Sequence, residues 1–183
     1  MKWLIASDIH GSAFWCERLL TAYRAEGADR LILLGDILYH GPRNDLPEGY
    51  DPKQVIGLLN SLAGEVLCVR GNCEAEVDQM VLDFPVLADY ALLPLGQRLI
   101  YITHGHRWNI DHLPPLKPGD VLLHGHTHIP CREERGGVMV LNPGSAAIPK
   151  ADSWHGYMTL EGGSFRWMAL REDGGADMMQ QWP

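Results

Sequence analysis

The chain has 183 residues, of which 46% are hydrophobic and 21% are charged, and its formal net charge is −8. These values predict one globular domain over residues 1–183 and argue against a protein that coats nucleic acid, because binding to backbone phosphates requires clustered Lys and Arg. They do not exclude a small phosphorylated substrate, since bound metal ions can supply positive charge locally.

The amino terminus and the hydropathy pattern bear on where the protein works. The first seven residues are too short and too quickly polar for a signal peptide, and no apolar run reaches the length of a membrane span. We therefore expect a cytoplasmic protein with no membrane contact. The four cysteines have neither CxxC spacing nor the density of a disulfide scaffold, so reduced thiols are predicted.

Short apolar runs alternate with helical stretches in the first half of the chain. The predicted strands are 2–7, 30–34 and 65–69, and the predicted helices are 13–26 and 52–62. In the second half, turn residues separate the strand-like runs, which are 98–103, 121–123, 138–141, 156–160 and 165–170. This order predicts an α/β fold in which two sheets pack face to face and helices cover the first sheet.

Residues that can bind a metal follow five of these strands directly. They carry carboxylate, carboxamide or imidazole groups, and they are Asp8, His10, Asp36, Asn72, His104, His126 and His128. Because ligands collect at the carboxyl ends of strands in open α/β sheets, we expect these side chains to converge. Oxygen and imidazole donors without cysteine suit a divalent ion such as manganese, iron or zinc.

Seven ligands are too many for one ion and fit two. A carboxylate can bridge two ions, and Asp36 is the expected bridge because it ends a central strand. Two ions about 3.5–4 Å apart can hold a hydroxide that attacks a phosphoester at neutral pH, and they also neutralise the phosphate oxygens. The glycines before Asp36, Asn72 and His126 would let the backbone turn and leave room for metal and substrate.

The ordered series DxH, GD, GN, H and GHTH resembles the calcineurin-type metallophosphoesterase superfamily. The segments GDILYHGPRN (35–44), GNCE (71–74) and THGH (103–106) are similar to its bacterial YfcE-type phosphodiesterase branch, and the likeness runs from residue 3 to about residue 150. The resemblance implies a four-layer α/β/β/α sandwich of two packed mixed sheets. It also implies hydrolysis of a phosphodiester bond in a small molecule, with Asp36 and Asn72 among the catalytic residues.

The same resemblance divides the ligands between two ions. The first ion would be held by Asp8, His10, Asp36 and His128. The second would be held by Asp36, Asn72, His104 and His126. We expect manganese, with zinc or iron as alternatives.

Two positions depart from the pattern of the wider superfamily. Many members follow GN with a histidine that contacts the phosphate and protonates the leaving group, whereas Cys73 stands in that place here. Many also carry GDxxDR, whose second Asp supports that histidine, whereas Tyr39 and His40 stand there. The YfcE-type branch shares the cysteine, so the departure indicates a sub-class and not an inactive enzyme.

Three residues beside the ligands are candidates for substrate contact. His106 follows His104 by two residues, so it is predicted either to contact substrate and act as an acid or to be a hydrogen-bond partner behind the ligands. His40 is a candidate because it lies close to Asp36 in the chain. Cys73 is predicted to line the pocket as an uncharged thiol, since nothing in the sequence marks it as a thiolate.

Other polar residues are expected outside the chemistry. His124 is predicted to lie behind the ligands or in the core, whereas His112 and His155 are predicted on the surface. Arg43 and Asn44 are expected in a solvated loop, although the loop could bring them to a phosphate. The NPGS segment (142–145) is expected to reverse the chain between strands without a catalytic role.

The predicted function is a metal-dependent phosphodiesterase. The alternative is a protein-interaction scaffold like the retromer subunit Vps29, which has this fold with an altered metal site, and the full set of seven ligands argues against it. A nuclease is disfavoured by the acidity and by the lack of an added DNA-binding segment. Edge strands in the second half are compatible with a homo-oligomer, either a dimer or a tetramer.

Overall fold

The computed structural model describes residues 1–183, which form three α-helices and eleven strands. The elements are β1 (Lys2–Ala6), α1 (Ala13–Ala25), β2 (Arg30–Leu33), α2 (Pro52–Asn60), β3 (Val66–Cys68), α3 (Glu76–Gln79), β4 (Ala91–Leu95), β5 (Arg98–Ile102), β6 (Val121–Leu123), β7 (Cys131–Arg135), β8 (Val138–Asn142), β9 (Gly156–Glu161), β10 (Ser164–Leu170) and β11 (Ala176–Trp182). A short 3-10 helix at Ala63–Glu65 precedes β3.

The strands form two mixed sheets. The first sheet has the strand order β11-β10-β9-β1-β2-β3, and the second has the order β4-β5-β6-β8-β7. Strands β1, β2 and β3 are parallel to one another, as are β5, β6 and β8. The predicted fold class of two packed mixed sheets is therefore confirmed.

The two faces of the first sheet bury different side chains. Along β1, Leu4 and Ala6 belong to the core beneath the helices, whereas Ile5 belongs to the core between the sheets. This alternation is the period-two pattern of a strand that is covered on both faces. Trp167 of β10 is fully buried between the sheets, and its indole N–H donates to the carbonyl of Asn142 across the gap at 2.7 Å.

Helices α1 and α2 cover the outer face of the first sheet. Helix α1 begins at the cap residue Ser12, whose hydroxyl accepts the amide of Trp15 at 3.1 Å. Its buried side chains, such as Leu19 and Tyr23, recur at helical spacing and face the sheet. None of the three helices has both the length and the apolar character needed to cross a membrane.

The outer face of the second sheet is covered by a loop instead of a helix. Leu122 and Val140 on that face pack against Ile110, Leu113 and Leu116, which lie in the irregular segment between β5 and β6. The fourth layer of the expected sandwich is therefore present, but it consists of irregular chain and not of helix. The segment is rich in proline and aspartate, which disfavour a helix interior.

Three strands are not anticipated by the hydropathy pattern, and all three lie at sheet edges. They are β4, β7 and β11, which terminate the orders given above. Strand β4 contains Pro94, β7 reads CREER, and β11 reads ADMMQQW. Proline is tolerated at an edge because only one side of the strand forms the ladder, and charged side chains there oppose pairing with other chains.

The NPGS segment does not act as the expected reversal between neighbouring strands. It leaves β8 in the second sheet and leads, through residues 146–155, to β9 in the first sheet. The segment therefore joins the two sheets. It does so beside the loops that carry the predicted metal ligands.

Candidate metal centre

Five of the seven predicted ligands have a left-handed backbone, although none of them is glycine. Their φ angles are Asp8 58°, His10 48°, Asp36 55°, His126 68° and His128 62°. Non-glycine residues rarely adopt this conformation, and it persists where the surrounding structure enforces it at functional sites. Only two other non-glycine residues in the chain share it, Ala151 and Asp152.

Backbone hydrogen bonds tie the ligand-bearing loops to one another. The amide of Asp8 donates to Gly35 at 3.1 Å, and the amide of His10 donates to the carbonyl of Asp36 at 2.9 Å. The amide of Gly125 donates to the carbonyl of His104 at 2.7 Å within the second sheet. The carboxyl ends of both sheets therefore meet at one site.

Each ligand carboxylate has one oxygen held by a backbone amide from another loop. Asp8 Oδ2 accepts the amide of His126 at 3.0 Å, and Asp36 Oδ1 accepts the amide of Cys73 at 2.9 Å. The second oxygen of each carboxylate faces imidazoles. Asp8 Oδ1 lies 3.3 Å from His128 Nε2 and is a buried oxygen without a hydrogen-bond partner.

Asp36 lies between the two groups of ligands. Its Oδ2 is 3.6 Å from His10 Nε2 on one side and 3.4 Å from His104 Nε2 on the other. The amide oxygen of Asn72 lies 3.1 Å from His104 Nε2, so Asn72 completes the second group. The structure thus brings all seven predicted ligands together, with Asp36 at the centre.

Backbone carbonyls set the tautomers of three histidines. His10, His104 and His128 each place Nδ1 within 2.6–2.7 Å of a carbonyl oxygen, belonging to Tyr39, Leu34 and Ile148 respectively. A carbonyl can only accept, so Nδ1 carries a proton in each of them, and Nε2 is the ring nitrogen that faces the cluster.

The ring nitrogens that face the cluster lie close together in two pairs. His10 Nε2 lies 3.2 Å from His128 Nε2, and His104 Nε2 lies 3.2 Å from His126 Nδ1. The unpartnered oxygen of Asp8 points into the first of these gaps. The donor set therefore suits divalent cations.

The pKa shifts of the buried ligands also indicate a site that attracts positive charge. Burial opposes ionisation of Asp8, but its contacts with His10 and His128 hold the pKa of its carboxyl well below the ordinary value. Burial also disfavours a charged His104, yet the adjacent Asp36 and Asp8 raise its pKa to about 9. The carboxylates thus attract positive charge to the centre of the cluster.

At the edge of the cluster, the pKa values of the histidines are lowered instead of raised. Burial and the neighbouring His104 lower the pKa of His126 to about 4, which keeps that imidazole neutral and able to bind a metal. Burial, followed by the same charge of His104, also lowers the pKa of His106. For Cys73, burial and the charge of Asp36 raise the thiol pKa, so the thiolate is disfavoured as predicted.

Two glycines are required because the loops approach so closely. A Cβ atom at Gly71 would overlap Oδ1 of Asp36, and one at Gly125 would overlap the hydroxyl of Ser7. Both residues precede predicted ligands. The sequence predicted that these glycines leave room around the ligands. In the structure, that room is needed because one loop passes closely across another.

Glu74 is the last residue of the GNCE segment, and the sequence predicted no role for it. Its buried carboxylate accepts the backbone amides of Asp36 at 2.9 Å, Ile37 at 2.7 Å and Gly71 at 2.5 Å. These bonds join the loop after β2 to the loop after β3. The signal in the sequence was an acidic residue close to a predicted ligand. Only the fold shows that its carboxylate binds backbone amides and not a metal.

Replacing Glu74 should destabilise this junction. We expect Glu74→Ala to lower the free energy of unfolding by about 2–3 kcal/mol, because three buried amides lose their acceptor. Urea unfolding in the presence of a chelator measures this without a contribution from bound metal. The control Glu133→Ala alters an exposed carboxylate on β7 and should change stability by less than about 0.5 kcal/mol. Equal stability of the two variants would contradict the assigned role.

The NPGS segment also positions the ligand loops. Asn142 Nδ2 donates to the carbonyl of Gly125 at 2.8 Å and to the hydroxyl of Thr127 at 3.0 Å. The Ser145 hydroxyl donates to the carbonyl of Asp8 at 2.8 Å. The segment therefore holds a ligand loop from each sheet, and its lack of a catalytic role stays a prediction.

A cavity of about 460 Å³ opens over the cluster. Most of its lining residues are polar or charged, and the lining residues are His10, Asp36, Gly41, Pro42, Arg43, Asn44, Asn72, Cys73, His126, Thr127, His128 and Lys150. The predicted pocket-lining position of Cys73 agrees with this. Arg43 and Asn44, expected in a solvated loop, also line the cavity, and Lys150 was not anticipated at all.

The structure does not place His40 in the cavity. Its ring packs edge to face against Tyr39 and Tyr50, with centroid distances of 4.7 and 5.4 Å. The chain itself stays at the cavity, since residues 41–44 line it, so the packing of the His40 ring and not the path of the backbone keeps His40 out of the lining. Contact of His40 with substrate stays a prediction. Tyr39 itself is 43% exposed.

The remaining histidines take varied positions. His106 is half-buried, with its ring centroid 5.5 Å from that of His104, and it lies beside the cavity lining and not in it. His124 is buried behind the ligands and His112 is exposed, both as predicted. His155 is not a free surface residue, since its ring stacks on Trp15 at 3.6 Å.

A sequence model of the calcineurin-like phosphoesterase superfamily domain matches residues 1–163 of this chain. The matched region contains every ligand candidate described above. The chain belongs to the calcineurin-like phosphoesterase superfamily. The family expected from the motifs is thereby confirmed, and membership implies divalent metal ions.

Curated relatives support the same assignment. The chain is 46% identical to phosphodiesterase YfcE of Escherichia coli K12 over 172 residues, which cover 94% of each protein. It is 29% identical to the probable metallophosphoesterase YsnB of Bacillus subtilis, covering 88% of this chain and 85% of the relative. The expected likeness to the YfcE type is therefore confirmed, and an enzyme of this class is the supported assignment.

Solved structures agree in fold. The structure of the Escherichia coli phosphoesterase Yfce superposes with a TM-score of 0.93 at 44% identity, covering 100% of this chain and 98% of that one. Vps29 of Entamoeba histolytica in complex with Zn²⁺ matches with a TM-score of 0.60 at 21% identity, covering 100% and 98%. At that identity the second likeness shows the shared fold alone.

Proposed function

We propose that this chain is a two-metal phosphodiesterase that hydrolyses a phosphodiester bond in a small molecule. The observation that carries the proposal is the position of Asp36, whose Oδ2 lies within 3.6 Å of both His10 Nε2 and His104 Nε2. A single carboxylate oxygen between two imidazole groups is the arrangement expected of a bridging ligand.

The ligands divide into the two predicted groups around Asp36. Asp8, His10, Asp36 and His128 would hold one ion, and Asp36, Asn72, His104 and His126 would hold the other. Their oxygen and nitrogen donors suit manganese, with zinc or iron as alternatives. When bound, two such ions supply a hydroxide nucleophile at neutral pH and neutralise the phosphate oxygens.

The chain's own residues orient the substrate and keep the ligands in place. Carbonyls behind His10, His104 and His128 fix the direction of each imidazole, so the donors need not reorganise when substrate binds. Cys73 lines the cavity as a neutral thiol and adds no positive charge at the phosphate. A monoester dianion therefore finds no cationic donor at this part of the wall, whereas a singly charged diester needs it less.

No side chain stands out as a general acid. Of the candidates, His106 remains a prediction, since its ring lies beside the cluster and its buried Nδ1 has no hydrogen-bond partner. Without a strong proton donor, turnover should favour diesters whose leaving group departs without a proton. The leaving group is thus expected to govern the rate.

The rival function is a protein-interaction scaffold of the Vps29 type. The complete ligand set and the polar cavity favour the enzyme, because a scaffold requires neither. Homo-oligomerisation and the absence of nucleic-acid partners remain predictions, as do the cytoplasmic location and the single domain.

Metal removal and return separates the two functions. Protein stripped with a chelator should hydrolyse bis(p-nitrophenyl) phosphate only after Mn²⁺ is added back, and p-nitrophenyl phosphate should be a much poorer substrate. Metal analysis of the fresh protein should give two ions per chain. Protein that binds little metal and turns over no diester or monoester in such a screen would support the scaffold instead.

A further inference from the structure

Arg43 reaches the cavity from a tight turn on one rim. The amide of Asn44 donates to the carbonyl of Gly41 at 3.3 Å, and the Asn44 side chain donates to the carbonyl of His40 at 2.8 Å. Pro42 occupies the second position of this turn, where its fixed φ is favourable. A Cβ atom at Gly41 would lie 3.5 Å from the Cys73 sulfur, so the turn rests directly against the cavity wall.

Lys150 lines the same cavity from a second turn, which is bonded to one of the ligand residues. Its amide donates to the carbonyl of the ligand His128 at 3.2 Å, and its carbonyl accepts the amide of Ser153 at 3.1 Å. The two residues that follow, Ala151 and Asp152, both have φ of 53°. They are the only non-glycine residues outside the ligand set in this conformation, which costs free energy that the surrounding contacts must offset.

Neither cation has a carboxylate partner. The ion pairs of the chain within 4.0 Å involve other residues, and no side-chain hydrogen bond engages the Arg43 guanidinium or the Lys150 ammonium. Both residues line the cavity together with the metal ligands. Both residues are exposed, and two unpaired cations that line one cavity are an arrangement that can bind an anion.

The scissile phosphate does not require these two charges. In the proposed function, the positive charge of two divalent ions is balanced by Asp8, Asp36, a hydroxide and the single negative charge of the diester. The positive charges of Arg43 and Lys150 are therefore not neutralised by the reacting phosphate group. Their charge calls for a second anionic group on the same substrate molecule.

We propose that the substrate is a small phosphodiester that carries a further phosphate group, and that Arg43 and Lys150 bind this second phosphate. The inference rests on the proposed function and specifies its substrate class. The cavity of about 460 Å³ is within the usual range for a small-molecule site.

A matched pair of chromogenic substrates tests this with the metal-loaded full chain. Thymidine 5′-(p-nitrophenyl phosphate) and its 3′-phosphorylated form share the scissile bond and the leaving group, and they differ only in the added phosphate. The readout is the ratio of kcat/KM for the phosphorylated compound to that for the other. With Mn²⁺ present, we expect the wild-type ratio to exceed about tenfold, since each charge-assisted hydrogen bond contributes roughly that factor.

The variants Arg43→Gln and Lys150→Gln should each lower this ratio several-fold, mainly through KM of the phosphorylated compound, and the double variant should bring it close to one. Arg132→Gln and Lys53→Gln remove exposed cations away from the cavity and should preserve the wild-type ratio. A wild-type ratio near one, or equal slowing of both substrates in the variants, overturns the inference alone. If wild-type protein with Mn²⁺ hydrolyses neither compound, the proposed function fails and the inference fails with it.

Discussion

Asp36→Asn is expected to lower phosphodiesterase turnover by more than about 100-fold, since even partners outside a ligand set often contribute about 10–100-fold to metal affinity or activity. The substitution removes the negative charge of the one oxygen that faces both His10 and His104. Both ions should therefore be lost together, and metal analysis after gel filtration should show fewer than one ion per chain.

The matched control is Asp83→Asn, which alters an exposed carboxylate away from the cavity. It should retain two ions and wild-type turnover. The asparagine at position 36 can still accept the Cys73 amide through its side-chain oxygen, so the loop should keep its structure. An Asp36→Asn protein that loses one ion and keeps substantial turnover would remove Asp36 from the bridging role.

Cys73→His is expected to shift the ratio of kcat/KM toward phosphomonoesters by at least about tenfold, which is the lower part of the effect that general-acid catalysis usually has. A monoester dianion gains from a cationic donor at the phosphate, and an alkoxide leaving group gains from a proton. The thiol supplies neither, because burial and the charge of Asp36 raise its pKa and keep it neutral. Parallel kinetics with bis(p-nitrophenyl) phosphate and p-nitrophenyl phosphate measure the shift.

Two companion variants make this test decisive. The double change Cys73→His with Tyr39→Asp restores the supporting acid of the wider superfamily, and it should give the larger shift. Cys73→Ala should leave diester turnover within a few-fold of wild type, since a neutral wall residue is replaced by another. Loss of diester turnover in Cys73→Ala with both metals still bound would show that the thiol takes part in the chemistry.

The buried strands could be predicted from the sequence, but three of the four edge strands could not. Strands β1, β2 and β6 bury nearly every side chain, so their apolar runs are unbroken. At an edge, few side chains are buried, and β7 carries four charged residues among its five. What holds β7 in place is its ladder with β8, and a backbone ladder leaves no mark in the hydropathy pattern.

The ligand positions were predictable for a related reason. Because parallel strands point their carboxyl ends the same way, the residues that follow each strand are brought together whatever the loops do. Glu74 and Ser145 were missed in their roles because they act through backbone groups of residues far away in the chain. Lys150 was missed because its place in the cavity depends on the amide bond to His128 and on a left-handed turn, neither of which shows in side-chain type.

The most direct test of the account is the anomalous diffraction of crystals grown with Mn²⁺. Two peaks about 3.5–4 Å apart, with a carboxylate oxygen of Asp36 between them, are the result that the account predicts. The nitrogen of His10 should bind one ion and that of His104 the other. A single peak in the cluster, or two peaks that share no oxygen of Asp36, would contradict the dinuclear site.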